Sequence, residues 1–153
     1  MAQHPSFDLR QAHQYFSADC FNKAWELIEK PNRTSEEDEQ MVRLNQASIW
    51  HWTQRDDCKS RNMSIGYWQA SRIYAILGRS EEARRYGRLC LEHSQAEPPF
   101  FLVYAYEAMA RAEKTAGNSA LADEYCTEVA RLAENITDPA DKNLLLNDLS
   151  SIK

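Results

Sequence analysis

Four glycines and five prolines are all that punctuate the 153 residues, and no stretch alternates β-branched with polar side chains. A sheet would have neither its turns nor its strands. No apolar run approaches the 18 residues of a membrane-spanning helix, and the opening MAQHPSFDLRQ is polar from its second residue, without a signal-peptide pattern. These absences exclude a membrane partner and point to the cytoplasm. The cysteines, Cys20, Cys58, Cys90 and Cys126, form no C-x-x-C pair. In a reducing compartment they read as small buried hydrophobes or inert thiols and not as a disulfide or zinc framework. The net charge is −5, with no cluster of five or six Lys/Arg, so the phosphate contacts that drive nucleic-acid binding are missing.

Catalytic signatures are missing too. There is no G-x-S-x-G, P-loop, G-x-G-x-x-G or H-E-x-x-H, and the four histidines have no partner at i+4. The acidic run Glu36-Glu37-Asp38-Glu39 suits a solvated helix start better than paired catalytic carboxylates. No catalytic residue, cofactor or metal is expected, and the chain reads as a non-enzyme.

What is present has helical period. The spacing predicts eight helices in one domain covering residues 1–153: Phe7 to about Ser17, Cys20 to Lys30, and a third from TSEEDEQ to about Gln54 with Thr34 and Glu37 as a capping box. A fourth is expected from an Asn62 cap to Leu77, with Gly78 beyond its end, and a fifth from Ser80 to about His93. Pro98-Pro99 starts a sixth ending at Gly117, Asn118 caps a seventh, and Asp138-Pro139 opens a last helix over 138–153.

Residues 67–86, YWQASRIYAILGRSEEARRY, align with 106–125, YEAMARAEKTAGNSALADEY, at an offset of 39: Tyr67 with Tyr106, Arg72 with Arg111, Gly78 with Gly117, Ala83 with Ala122, Tyr86 with Tyr125. The repeats extend over 67–91 and 106–130. Tyr67, Ala70, Ser71, Gly78, Ala83 and Ala122 are the expected packing positions of helical hairpins. A fainter earlier copy keeps Ala12 and Ala24, with His13 at the arginine position.

This pattern resembles the tetratricopeptide repeat, with an aromatic residue, a small residue four places on, Gly at the turn and Ala five further. It departs in period, 39 against the usual 34, and lacks the closing proline. The whole chain is similar to small bacterial tetratricopeptide-type proteins. The resemblance implies an all-α, right-handed solenoid of helical hairpins whose first helices line a concave, peptide-holding surface.

The third helix carries SIWHW at 48–52. Trp50 and Trp52 lie about 200° apart on a helical wheel, so one stripe cannot bury both. Trp52 joins Met41, Val42, Leu44 and Ile49; Trp50 falls opposite, near Arg43. The fourth helix places Trp68 and Arg72 one turn apart, away from its main face. The expected working surface therefore holds Trp50, Trp68, Arg72, Tyr104 and Arg111, receiving an extended or acidic segment of another protein. The same wheels offer a plainer account, in which these residues pack against neighbouring helices. His51, on a mostly apolar face, is expected to be a satisfied core residue. The alternative to a partner-binding module is a self-associating regulatory or small-ligand-binding subunit, with a homodimer seam along Leu144, Leu145, Leu146, Leu149 and Ile152. The plain account of that last helix is a cap.

Overall fold

The computed structural model describes residues 4–152, and among them it is all-helical, with seven helices and no strand. They are α1 (Leu9–Glu29), α2 (Ser35–Thr53), α3 (Ser60–Ile76), α4 (Ser80–Ser94), α5 (Pro99–Thr115), α6 (Ser119–Ala133) and α7 (Pro139–Ser150). No helix among the described residues is long and apolar enough to cross a membrane.

The count of eight is corrected to seven because the break expected near residues 17–20 does not exist. Ser17-Ala18-Asp19 holds no Gly or Pro, and polar residues in mid-helix need only find local partners. Ser17 donates its hydroxyl back to the Gln14 carbonyl at 3.0 Å, and Asp19 pairs with Lys23 one turn on at 2.9 Å. The result is a single 21-residue α1. That settles the pairing: α1 packs on α2, α3 on α4 and α5 on α6, with α2 against α3 and both α3 and α4 against α5.

Helix ends follow the local chemistry. Thr34 and Glu37 form the reciprocal capping box, through bonds of 3.2 and 3.0 Å. Asp138 caps α7 by accepting from Ala140 and Asp141. The cap of α3 is Lys59, not Asn62, which sits three residues on and accepts from the Lys59 N–H at 2.9 Å. Gly78 and Gly117 take φ of +72° and +81°, the left-handed turns that end α3 and α5.

The deepest stripe of α2 is Met41–Asn45–Ser48, more polar than the apolar arc expected, because short backbone approaches supply its partners. Asn45 donates to the Gly66 carbonyl and to Gln69, Gln69 donates to the Phe21 carbonyl, and Ser48 donates to the Ser17 carbonyl. These bonds tie α1, α2 and α3 through their interior. Elsewhere Arg84 of α4 clamps the buried Glu113 of α5 at 2.8–2.9 Å. This ion pair holds the Glu113 carboxyl below its ordinary range.

Candidate functional site

Helix α5 is buried on most of its circumference, and two of its buried residues, Glu107 and Glu113, are charged. Glu107 is wholly inaccessible, which is tolerable only if its charge and lone pairs are met. Its Oε2 accepts the Trp68 indole N–H at 3.0 Å, and its Oε1 accepts from Arg111 Nε at 2.9 Å. Arg72 Nη1 stands 3.6 Å away. Residues 68 and 107 are the aligned positions of the two repeats, so the repeat offset brings tryptophan and glutamate into contact where α3 meets α5.

The other half of this cluster comes from α7. Asp148 Oδ2 accepts from the Tyr104 hydroxyl at 2.9 Å, and its Oδ1 is 3.5 Å from Arg72. The Asp148 carbonyl accepts from Arg111 at 3.1 Å, and the Ser151 hydroxyl lies 2.9 Å from the same guanidinium. Burial, then the bond to Asp148, pushes the Tyr104 phenol far above its usual range, so it stays a donor. Four of the residues expected at the surface, Trp68, Arg72, Tyr104 and Arg111, are thus brought together. Both arginines face the chain's own carboxylates, each side chain about 15% exposed.

Beside this cluster lies an open, almost wholly apolar cleft of about 270 Å³. It is lined by Trp25 of α1, Ile65 and Trp68 of α3, Phe100, Phe101 and Tyr104 of α5, and Leu144 of α7, with Asp148 at its end. Trp25 and Trp68 lie with ring centroids 5.4 Å apart, and Tyr104 meets Trp68 edge-on at 5.6 Å. The depression continues along α1 past Phe21 and Glu26.

Trp50 is placed elsewhere. It is 55% exposed on α2 and packs edge-on against His51 at 4.8 Å and His13 at 5.4 Å. The Nδ1 atoms of His13 and His51 are 2.8 Å apart, so one imidazole donates to the other. Phe16 stacks on His51 at 5.4 Å, and Trp52 is covered by the Arg55 guanidinium at 3.8 Å. Arg43 is exposed and pairs with Glu39 one turn back.

Burial first, and the facing His13 second, push the His51 imidazole below its ordinary range. The unfolded chain therefore takes up this proton at higher pH than the folded one, so stability falls as pH drops below about 6.5, the unperturbed histidine value. Unfolding midpoints in urea are expected to decline from pH 7 to pH 5, and His51→Gln should flatten that dependence. An unchanged slope in the variant would assign the acid sensitivity to other groups.

Asp148, Trp25, Phe100 and Phe101 lie outside the residues expected from sequence, and Glu107 enters there only as the repeat counterpart of Trp68. One signal was available for Glu107, the lone charge inside FFLVYAYEAMA, at the repeat position of Trp68. The histidine pair joins residues 38 apart, which no helical spacing announces.

Among the described residues no group of three or more His, Cys, Asp or Glu could hold a metal ion, and the four thiols are unpaired. Burial raises the Cys90 thiol to about 11, which leaves it protonated and unreactive at neutral pH. No family model, curated protein or solved structure matches the chain.

Proposed function

We propose that the protein is a non-enzymatic interaction module, a right-handed solenoid of tetratricopeptide-like hairpins closed by α7, that docks a segment of another protein on the face shared by α1, α3 and α5. Three helix pairs with left-handed glycine turns after α3 and α5, and the contact between the aligned repeat positions 68 and 107, support the hairpin arrangement. The unpaired thiols suit a reducing compartment.

The observation that carries the binding reading is the open apolar cleft between Trp25, Trp68, Phe100 and Phe101. A monomer gains nothing from leaving so many aromatic surfaces around an unfilled depression, and such depressions accept the anchor side chain of a partner. Its walls come from three first helices, so a chain laid across them touches all three pairs at once. Nothing in the cleft besides Asp148 offers a charge, which favours a leucine- or aromatic-bearing segment over a polar metabolite.

The test uses Ile65→Glu/Leu144→Glu. These two residues line the cleft and are 38% and 52% exposed, so they are dispensable for the core. A protein recovered by tagged wild-type chain from the native host's lysate would be purified and titrated against both forms. The double variant should keep the wild-type thermal midpoint and lose at least about tenfold in affinity, the size of a single anchor's contribution. Equal affinities would remove the cleft from the interface.

A further inference from the structure

Helix α7 is held by one apolar cluster and one polar anchor: Leu145 joins Val103, Val129 and Leu132, and Leu149 packs against them. Leu145 is its one fully buried residue, Leu144 and Leu146 are about half exposed, and its contacts with α5 and α6 are few. Its polar anchor is nevertheless specific. Arg72 and Arg111 bring two positive charges to a half-buried position where Glu107 neutralises one. Without α7 the cluster carries an excess positive charge, and such a site attracts a carboxylate. Helix α7 supplies the Asp148 side chain and, with it, the Asp148 carbonyl in its last turn, at the negative end of the helix dipole.

The fit is incomplete. Arg72 Nη1 is buried with no hydrogen-bond partner among the described residues, because both carboxylates stop at 3.5–3.6 Å. The apolar cleft beside Leu144 is likewise left open. The chain's own helix satisfies the charge of the site but neither its last donor nor its full apolar wall.

Building on the docking reading above, we infer that the Arg72–Glu107–Arg111 cluster is a receptor for the C-terminal turn of an acidic helix, that α7 occupies it in the isolated chain, and that the partner segment is a helix of the same chemistry that displaces α7. The recognised features are a leucine to fill the position of Leu145, an Asp or Glu three residues later, and a helix end at that point. An extended acidic strand does not bring a carboxylate, its own carbonyl and a hydroxyl three residues on to one point, as the last turn of α7 does for Arg72 and Arg111. The excess charge of the emptied site also favours an acidic segment although the chain as a whole is acidic.

The experiment measures binding of a fluorescein-labelled synthetic peptide of residues 138–152 to full-length chains by polarisation. In the Asp148→Lys chain the lysine is repelled by Arg72 and Arg111, so its own α7 leaves the site. This chain should bind the peptide at least tenfold more tightly than wild type, whose tethered α7 competes. A peptide carrying Asp148→Asn should lose at least tenfold. Leu145→Gln releases α7 by its apolar anchor and gives the same result if Asp148→Lys fails to fold by circular dichroism.

Equal affinity for wild-type and released chains, indifference to the peptide's Asp148, or no binding up to millimolar peptide would each overturn the inference. A wild-type dimer in light scattering that added peptide converts to monomer would also overturn it, by assigning the site to a second copy's α7. Displacement would carry Leu144 away with α7, so Ile65→Glu alone, on α3, separates the two readings. Failure of the peptide while the Ile65→Glu chain still loses its partner removes this inference alone, and indifference of the partner to Ile65→Glu removes the docking reading beneath it.

Discussion

Glu107→Ala is expected to lower the free energy of unfolding by about 3–5 kcal/mol, the usual cost of breaking a buried ion pair from one side. The carboxylate is inaccessible to solvent, and three groups depend on it: the Trp68 indole N–H, the Arg111 guanidinium and, at longer range, Arg72. Removing it strands two positive charges that are mostly shielded from water, and Asp148 alone cannot pair both. Glu107→Gln keeps an acceptor for Trp68 and the side-chain volume, so its loss should be smaller. Urea unfolding followed by circular dichroism at pH 7 gives both values. A cost under about 1 kcal/mol for the alanine variant would mean that solvent reaches the cluster, since exposed pairs contribute only that much.

Trp68→Ala should cost about 3 kcal/mol, the low end for a large aromatic because Trp68 keeps one edge in the open cleft. The ring packs between Trp25 and Tyr104, and its loss also unpairs Oε2 of Glu107. Stability and the proposed docking are therefore mixed in this residue. A lost partner in a Trp68 variant could come from either, which is why the exposed Ile65 and Leu144 make the cleaner binding test. Because Trp68 and Glu107 share a hydrogen bond, the double substitution should cost less than the sum of the two singles by about 1 kcal/mol or more. Full additivity in a double-mutant cycle would indicate that the bond contributes nothing.

Much of the helical framework was legible because its signals are local. The capping box at Thr34 and Glu37, the glycine turns at 78 and 117 and the Asp138-Pro139 start each depend on a few adjacent residues, and each appears as expected. The false break near Ser17 shows the converse. Polar residues in mid-helix look like a boundary until the backbone partner one turn away is known.

The candidate site was legible only in part. Wheel positions brought Trp68, Arg72, Tyr104 and Arg111 to one region, since the 39-residue offset encodes the approach of α3 to α5. The wheel could not say that α7 returns to this region, because the contact from Asp148 to Tyr104 spans 44 residues. Trp50 shared the helical signal of Trp68, an aromatic residue off the main face, yet it sits on a second helix beside His13 and His51. Which side of a helix is free is read from sequence more readily than which neighbour it meets.

The four tryptophans offer the most direct measurement, because each gives one indole N–H resonance in a ¹⁵N spectrum and they sit in distinct places. Trp25 and Trp68 line the cleft, while Trp50 and Trp52 belong to α2. Titration of the labelled full-length chain with the purified partner should move the Trp68 and Trp25 signals and leave that of Trp50 in place. A spectrum in which Trp50 moves while Trp68 and Trp25 stay fixed would contradict the account and transfer the binding surface to the edge formed by His13, Phe16 and His51.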